Sequence, residues 1–292
     1  MADKWFVIVN PNAGNRKGER DWKGITRLLA KAGIDYMSCF TGHRGHAMDL
    51  TRKYIQAGFR KFIVIGGDGT FNEVVNGIFT QKVTDPSRML LAIIPVGTGN
   101  DWCRMFGIPD DYEKAIEVIV KERIFVQDTG VLQYNDVNGL PEKRYFVNIA
   151  GMGFDAMVAE KTNRDKDRGK GNPLLYFVNI FTSLFSYKPT RTKVTLNGKV
   201  IDQDVFSMTA AIGRYNGGGM KQAPDAFPDD GLFDLTIIRK IGKFKVIRNV
   251  LRLLDGSYVR LPEVSSFKTP AVRIDSNPPI HAIGRASCRE RV

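Results

Sequence analysis

The chain has 292 residues, of which 43% are hydrophobic and 25% charged, and its formal net charge is +12. This composition is typical of a globular protein with one large or two ordinary domains. No apolar run approaches the roughly 20 residues of a membrane-spanning helix, and the first one, Trp5 to Val9, is too short for a secretory signal. Three scattered cysteines, Cys39, Cys103 and Cys288, indicate a reducing compartment rather than a disulfide framework.

The positive charge is compatible with nucleic acid, an anionic membrane surface or a phosphorylated substrate as partner, and equally with a plain basic surface. The sequence has neither a zinc-finger pattern nor a stripe of interleaved basic and aromatic residues. We therefore expect no nucleic-acid partner.

Strand and helix patterns alternate through the first part of the chain. Strands are predicted at Trp5–Asn10, Tyr36–Phe40, Phe62–Ile65 and Leu91–Pro95. A polar helical stretch follows the turn after the first strand and ends at about Ala32, and further helices are predicted over His46–Ala57, Phe71–Phe79 and Tyr112–Lys121. This alternation predicts an α/β domain with a doubly wound parallel sheet, which we place over residues 1–128.

After residue 128 the patterns are mostly those of strands. They cover Tyr145–Ala150, Lys193–Leu196, Lys199–Gln203, Val205–Ile212, Leu232–Ile238 and Ala271–Ile274. Asn197-Gly198, between two of these runs, predicts a hairpin turn because both residues tolerate positive φ. We expect a mostly antiparallel β-sandwich or barrel domain over residues 129–283.

Two helices are predicted within this second domain, over Leu174–Phe185 and Phe244–Leu254. The first is either packed on its own sheet or part of an acyl-chain groove, and the second carries either a solvated basic face or a contact to an anionic surface. The charged run Lys161–Lys170 is predicted to be an exposed loop. Residues 284–292 lack periodicity and are interpreted as a cloning scar.

Small, turn-permissive residues follow three strands of the first domain. They are Asn10 to Gly14, Gly66 to Thr70 and Gly97 to Asp101. Glycines let backbone N–H groups approach a ligand, and a helix that begins just after such a turn points its positive end at the same place. Because ligands of open α/β sheets bind beyond the carboxyl ends of the strands, the three loops together predict a phosphate-binding nucleotide site.

Taken singly, each loop is also compatible with an ordinary turn, although Gly66 to Thr70, between a strand and a helix, is the most specific. Neither a Gly-Lys-Ser/Thr Walker motif nor a Gly-x-Gly-x-x-Gly after the first strand is present. A P-loop and a regular Rossmann site are therefore not predicted.

The twelve residues from Gly66 to Gly77, Gly-Gly-Asp-Gly-Thr-Phe-Asn-Glu-Val-Val-Asn-Gly, closely resemble the catalytic signature of the diacylglycerol kinase family. Asn10-Pro11-x-Ala13-Gly14 and Pro95-x-Gly97-Thr98-x-Asn100-Asp101 resemble its companion motifs, and the similarity extends to about His281. Soluble bacterial lipid kinases and the related sphingosine and ceramide kinases share this order. NAD kinases and phosphofructokinases share only the Gly-Gly-Asp-Gly core.

The resemblance implies roles for individual residues. ATP would be surrounded by Asn10, Pro11, Asn12, Ala13, Gly14, Thr41, Gly66, Gly67, Asp68, Gly69, Thr70, Phe71, Asn72 and Thr98. The acids Asp68, Asp101 and Asp128 would hold Mg²⁺ through water, and Arg104 would contact a phosphate. Phosphoryl transfer needs such positioning and charge neutralisation, and Mg²⁺ retains several waters. Asp128 is equally well explained as a turn residue at a strand end.

A second ion is implied by the loop Pro224 to Phe233. The family binds a structural Mg²⁺ there through one Asp and neighbouring carbonyls, for which Asp230 and the carbonyls of Phe227 and Leu232 are the matching positions. Without the resemblance, Asp-Asp-Gly would be interpreted as a hairpin turn.

The chain departs from the family near its end. An Asp-Gly-Glu that supplies the general base is expected near Ile283 to Arg285, where this chain reads Ile-Gly-Arg. Since general-base help is typically worth about 10²–10⁴-fold, we expect ATP binding with slow or absent turnover.

The resemblance thus implies an ATP- and Mg²⁺-dependent lipid kinase, with diacylglycerol as the first candidate substrate and phosphatidic acid as its product. Such an enzyme would be cytoplasmic and bind its lipid at the membrane surface without a transmembrane segment. The oligomeric state stays open, with a homodimer among the alternatives. Two other functions are kept: another kinase of the Gly-Gly-Asp-Gly type, such as an NAD kinase, and a non-catalytic nucleotide- or lipid-binding protein.

Overall fold

The computed structural model describes residues 4–136, 138–167, 173–284 and 290–291. The chain divides into two compact units, Met1–Phe125 and Val126–Val292. The division falls after Phe125 rather than after Asp128, so the segment that contains Asp128 belongs to the second unit.

The first unit is a parallel sheet with its helices. In chain order its elements are β1 Trp5–Val9, α1 Ala13–Arg20, α2 Trp22–Lys31, β2 Tyr36–Phe40, α3 His46–Gln56, β3 Lys61–Gly66, α4 Asp68–Thr80, a 3-10 turn Pro86–Arg88, β4 Leu90–Pro95, α5 Asp101–Met105 and α6 Tyr112–Val120. The strands lie in the order β2-β1-β3-β4, and every pair is parallel. The predicted doubly wound α/β domain is therefore confirmed.

Both faces of this sheet are covered, which explains why β1 is apolar along its whole length. Trp5, Val7 and Val9 pack in one core cluster with apolar residues of α2 and α6. Phe6 points to the other face, where its ring stacks at 3.6 Å on that of Tyr54 in α3. Alternate residues of one strand thus hold helices on opposite sides of the sheet.

The strand register aligns the carboxyl ends of the neighbouring strands β1, β3 and β4. Val9 of β1 is paired with Ile65 of β3, and Ile65 with Ile94 of β4. The chain therefore leaves these strands at one level, and the loops that follow them lie at the same edge of the sheet.

The second unit is mostly antiparallel. Its elements are β5 Gly130–Asn135, β6 Pro141–Phe146, β7 Ile149–Gly153, α7 Phe154–Asp167, α8 Pro173–Ser186, β8 Thr190–Leu196, β9 Lys199–Ala211, β10 Tyr215–Asn216, β11 Met220–Lys221, β12 Phe233–Arg239, α9 Lys243–Asn249, α10 Arg252–Asp255, a 3-10 turn Ser257–Arg260, β13 Val264–Thr269, β14 Arg273–Ser276, β15 His281–Gly284 and β16 Glu290–Arg291. The main sheet has the order β13-β12-β9-β7-β15-β16, with β8 paired to β9 and β14 to β8. The predicted antiparallel domain is confirmed.

Long strand β9 organises this unit. Its first half pairs with β8 across the Asn197-Gly198 turn, where both residues have positive φ as predicted, and its second half lies between β7 and β12. The runs Lys199–Gln203 and Val205–Ile212 were expected to be separate strands, but β9 continues through Asp204. The expected strand Tyr145–Ala150 is instead divided between β6 and β7.

The expectation of a loop over Lys161–Lys170 is wrong for its first part, because α7 continues to Asp167. Phe154, Val158 and Thr162 are buried at four-residue spacing and anchor the helix to the unit. Arg164 is exposed and forms an ion pair of 2.7 Å with Glu160, one turn earlier in the helix. Residues 168–172 lie outside the described part of the chain.

The two helices singled out from the sequence are both present. In α8, Ile180 and Leu184 are buried whereas Phe185 is exposed, and the side chains of Leu174 and Phe177 lie outside the described residues. The predicted helix Phe244–Leu254 corresponds to α9 and α10. Within the described residues, no helix combines the length and apolar character needed to traverse a bilayer.

Candidate functional site

The first loop of the first unit is fixed to the other two at the sheet edge. Asn10 donates through Nδ2 to the Thr70 hydroxyl at 2.8 Å, and its Oδ1 accepts from the N–H of Asn12 at 3.0 Å. Gly14 has a φ of +60°, and a Cβ there would lie 1.8 Å from the Val96 carbonyl oxygen. Only glycine fits between the first and third loops.

Left-handed backbone continues past this glycine. Asn15 and Arg16 have φ angles of +57° and +67°. Asn accepts this conformation readily, but for an Arg it costs about 1–2 kcal/mol. Such local strain is typical of ligand-binding turns, and here it falls at the entrance of α1.

The second and third loops touch backbone to backbone. A Cβ on Gly97 would lie 2.6 Å from Cα of Gly67, and one on Gly67 would lie 3.0 Å from Cα of Gly97. The Val96 N–H also donates to the Gly66 carbonyl at 2.9 Å. The two glycines therefore bring the loop tips closer together than any side chain would allow.

Asp68 connects these loops through its carboxylate. Its Oδ2 accepts from the N–H of Asp101 at 3.2 Å and its Oδ1 from the N–H of Trp102 at 3.0 Å. Asp68 is the first residue of α4, yet it supplies the acceptors for the first turn of α5, where a negative charge is favourable. The acid at the centre of the signature thus determines where the third loop lies.

The remaining predicted residues of the first unit lie around this junction. Thr41 is buried and donates its N–H to the Val9 carbonyl at 2.8 Å, and the Phe71 ring lies 4.1 Å from that of Trp102. Gly69 and Asn72 belong to α4, Pro11 and Ala13 to the first loop and its helix, and Thr98 and Arg104 are exposed on the third loop and α5.

Glu73 is a residue whose role the sequence did not reveal. Its two carboxylate oxygens accept from the N–H groups of Gly45 and Ala47, at 3.0 and 3.3 Å. It therefore caps α3 and holds the segment that follows Thr41. The available signal was its place inside the twelve-residue signature, but nothing in the sequence indicates which helix it caps.

Two buried acceptors at this edge have no hydrogen-bond partner among the described residues. They are the side-chain oxygens of Asn72 and Asn100. Asn100 has a left-handed φ of +49°, and its Nδ2 donates to the Gly97 carbonyl at 3.1 Å. Tight glycine turns, clustered helix starts and spare acceptors fit a polyphosphate ligand with bound water.

Burial raises the pKa of the Cys103 thiol, which lies in α5. The thiol is therefore protonated at neutral pH and unsuited to be a nucleophile. Within the described ranges, no group of three or more His, Cys, Asp or Glu side chains is placed to hold a metal ion directly.

Asp128 lies in the second unit, next to the loop for which a second metal was predicted. Its Oδ2 accepts from the N–H of Gly231 at 2.7 Å, and its own N–H donates to the Pro228 carbonyl at 2.8 Å. These bonds match the description of a turn residue at a strand end, the alternative that the sequence left open.

Asp230 of this loop already has a cation from the chain itself. Its Oδ2 lies 2.8 Å from Nζ of Lys268, and its Oδ1 accepts from the N–H of Leu232 at 3.1 Å. Burial opposes ionisation of Asp230, but these two contacts outweigh it and lower the pKa of its carboxyl. Lys268 Nζ also lies 3.5 Å from Asp234, whose pKa is raised because burial dominates there.

Ile283 and Gly284, in the segment where the general base is expected, lie on β15. Ile283 is paired with Gly151 of β7, and a Cβ on Gly151 would lie 2.2 Å from Oδ2 of Asp155. Asp155 is buried and accepts from Gln222 Nε2 at 3.1 Å and from Asn216 Nδ2 at 3.3 Å. The side chain of Ile283 and all of Arg285 lie outside the described residues.

Comparison with known proteins agrees with this geometry. The family model for the diacylglycerol kinase catalytic domain matches residues 4–132, and that for the YegS C-terminal NAD kinase beta sandwich-like domain matches residues 148–288. The Bacillus subtilis (strain 168) protein named "Putative lipid kinase YtlR" is 31% identical over 96% of this chain and 92% of its own length. The diacylglycerol kinase of Staphylococcus carnosus (strain TM300) is 28% identical over 94% and 86%, respectively.

Solved structures show the same fold. A diacylglycerol kinase from Bacillus anthracis str. Sterne superposes with a TM-score of 0.72 at 25% identity, over 98% of this chain and 91% of that one. Yeast NADH kinase complexed with NADH gives a TM-score of 0.52 at 10% identity, over 97% and 75%. With both domain models matched in order and a relative above 30% identity over nearly its full length, the chain belongs to the diacylglycerol kinase catalytic-domain family of bacterial lipid kinases.

Proposed function

We propose that this lipid kinase uses ATP and that diacylglycerol is its acceptor, which it converts to phosphatidic acid. The observation that carries the ATP site is the contact between the tips of the second and third loops at Gly67 and Gly97, beside Gly14 of the first loop. Backbone N–H groups and the start of α4 meet there, an arrangement suited to a triphosphate.

The chemistry is an in-line phosphoryl transfer. The lipid hydroxyl oxygen forms a bond to the γ-phosphorus as the bond to the β–γ bridging oxygen breaks, ADP leaves, and the hydroxyl proton passes to a base. Positioning and neutralisation of phosphate charge supply most of the catalysis. Asp68 and Asp101 are proposed to hold Mg²⁺ through water, with Asp128 as a third acid and Arg104 on a phosphate, and the ion would neutralise that charge.

We further infer that turnover is slow because the Ile283 to Arg285 segment lacks the family's acidic base. Without a base to accept the hydroxyl proton, the loss is about 10²–10⁴-fold. The double variant Ile283→Asp/Arg285→Glu restores Asp-Gly-Glu and should raise kcat by a factor in this range. An unchanged kcat in a folded double variant would contradict the inference.

The structural metal loop stays a separate proposal. Asp230 and the carbonyls of Phe227 and Leu232 would be the ligands, in competition with Lys268 for the Asp230 carboxylate. The enzyme is proposed to work in the cytoplasm and to meet its lipid at the membrane surface, without a nucleic-acid partner. Homodimer formation is a proposal that sedimentation can test.

The assignment is tested by thin-layer chromatography with γ-labelled ATP. Mixed micelles of diacylglycerol, monoacylglycerol, a sphingoid base, an undecaprenol-like alcohol or phosphatidylglycerol are compared with NAD, using the chain and its Ile283→Asp/Arg285→Glu variant. We expect label in phosphatidic acid. Label in NADP alone would favour an NAD kinase, and heat of Mg-ATP binding without any labelled product in either protein would favour a non-catalytic nucleotide-binding protein.

A further inference from the structure

The segment α9–α10 of the second unit is a nearly continuous amphipathic helix. Val250 and Leu251, which join its two parts, keep right-handed helical angles of −59°, −34° and −67°, −22°. Its inner side packs on the core cluster around Phe154 and Ile180, through the partly buried residues Val246, Ile247, Val250 and Leu253. The segment has therefore already buried one apolar face.

Its outer side carries a second set of large apolar side chains. Phe244 is 88% exposed, Leu251 68% and Leu254 49%, at spacings that bring them to one side of a helix. Phe185, at the end of α8, is 63% exposed and contacts Lys243, the residue before Phe244. Lys243 joins the two elements, because its Nζ donates to the Phe185 carbonyl at 2.8 Å and lies 5.6 Å from the Phe185 ring centroid.

The same side is strongly basic. Residues 239–260 contain seven Lys or Arg and a single acid, Asp255. Lys243, Arg248 and Arg252 are exposed beside the apolar side chains, whereas Lys245 is paired with Glu263 at 2.6 Å. A purely solvated surface would not need four large exposed apolar residues, three on this segment and one on α8. A second copy of this chain would present the same positive charge and be repelled.

We propose that this outer face (Phe185, Phe244, Leu251 and Leu254, with Lys243, Arg248 and Arg252) docks on a bilayer that contains anionic phospholipid. The apolar side chains enter the boundary between headgroups and acyl chains, and the cations contact lipid phosphates. The docking itself is a property of the face, and only its purpose, delivery of a lipid hydroxyl, rests on the proposed function.

The test is co-sedimentation of the full chain with vesicles of phosphatidylcholine, alone or mixed with phosphatidylglycerol. We expect binding to the anionic vesicles, weakened about tenfold or more by Phe244→Ser/Leu251→Ser. Each basic residue near an anionic surface contributes about fivefold, so Arg248→Gln/Arg252→Gln should lose about 25-fold.

Matched controls come from the exposed hairpin of β8 and β9 in the same unit. Val200→Ser, at a residue that is 57% exposed, and Lys193→Gln/Lys199→Gln remove the same kinds of groups elsewhere. They should bind vesicles like the original chain. Circular dichroism and calorimetric Mg-ATP binding, expected to be unchanged in every variant, exclude misfolding and keep the result independent of kinase activity.

Three results would overturn the proposal. Unchanged vesicle binding in folded Phe244→Ser/Leu251→Ser would show that the exposed apolar side chains do not contribute to binding. Equal binding to heparin and to anionic vesicles, insensitive to that variant, would indicate a general polyanion surface. A dimer of the original chain that this variant converts to a monomer would show that the face binds protein instead.

Discussion

The contact between Gly67 and Gly97 can be tested with a single methyl group. In Gly97→Ala the new Cβ would lie 2.6 Å from Cα of Gly67, which is backbone, and 2.6 Å from Oδ1 of Asn100, which is a side chain that can rotate. Since carbon atoms prefer separations of about 3.5–4.0 Å, the two loop tips must move apart by about 1 Å. Gly97 does not have a positive φ, so this separation is the main effect of the substitution.

The structural cost and the functional cost should differ in size. Inserting a methyl group into a tightly packed contact typically costs about 1–3 kcal/mol of stability. A misplacement of about 1 Å at a phosphoryl-transfer site can cost about 100-fold in kcat/KM, equivalent to about 2.7 kcal/mol of transition-state stabilisation. We therefore expect a folded protein with weakened Mg-ATP binding and a much larger loss of lipid phosphorylation.

The assay combines urea unfolding, calorimetric Mg-ATP binding and labelled-ATP transfer, performed in the Ile283→Asp/Arg285→Glu background if the original chain turns over too slowly. Gly24→Ala is the matched control, because Gly24 lies in α2 and a Cβ there meets nothing within 4 Å. It should leave ATP binding unchanged and stabilise the helix by about 0.5–1 kcal/mol. If Gly97→Ala binds Mg-ATP as tightly as Gly24→Ala does, the paired loop tips do not hold the triphosphate.

Three further substitutions test how the sites are supported. Asp68→Asn keeps one acceptor for the N–H groups of α5 but loses the negative charge. We expect a stability about 1 kcal/mol lower by urea unfolding and a disproportionate loss of kcat. An unchanged kcat would exclude Asp68 from the catalytic site. Glu73→Ala removes the cap of α3, at a cost of about 1 kcal/mol, and should weaken ATP binding relative to Glu73→Gln; equal affinity in both would contradict a positioning role. Lys268→Met leaves Asp230 and Asp234 without their cation; because Lys268 is 41% exposed, solvent screening limits the cost at pH 7 to about 1 kcal/mol. The pKa of Asp230 is lower in the folded state than in the unfolded state, so the stabilisation by the Asp230–Lys268 pair is present above the unfolded pKa of about 3.9 and is lost as the pH falls below it. The difference in urea midpoint between Lys268→Met and the original chain should therefore shrink as the pH falls past 4. A difference that does not change with pH would contradict this account.

The sequence predicted those parts of the fold that depend on local pattern. β1 and residues Phe62–Ile65 of β3 are apolar runs that end at a turn signal, and such runs have few alternatives to a buried parallel strand. The Asn197-Gly198 turn was equally predictable, because its backbone angles need these residue types. Helix α7 was not predicted at all, because few of its residues are large and apolar and the charged run that begins at Lys161 suggested a loop.

The parts that could not be predicted depend on distant partners. Motif order indicated that three loops meet, but which atoms touch depends on strand register, which aligns Val9, Ile65 and Ile94. The helix that Glu73 caps and the cation that Asp230 pairs with are likewise contacts between residues far apart in sequence. Hydrogen-bond partners of this kind leave no periodic trace along the chain.

The contacts of Asp68 explain why one acid can serve both the fold and the proposed chemistry. Each of its carboxylate oxygens accepts one backbone N–H of α5, and an ionised carboxylate has about four acceptor positions in all. Water-mediated contact with Mg²⁺ is compatible with both bonds, whereas direct coordination would compete with the cap of α5. Because those bonds also locate the loop of Gly97 beside Gly67, any substitution of Asp68 changes the charge at the site and the position of the loop together. Activity loss in Asp68 variants therefore has to be compared with that of Gly97→Ala, which moves the loop and leaves the charge in place.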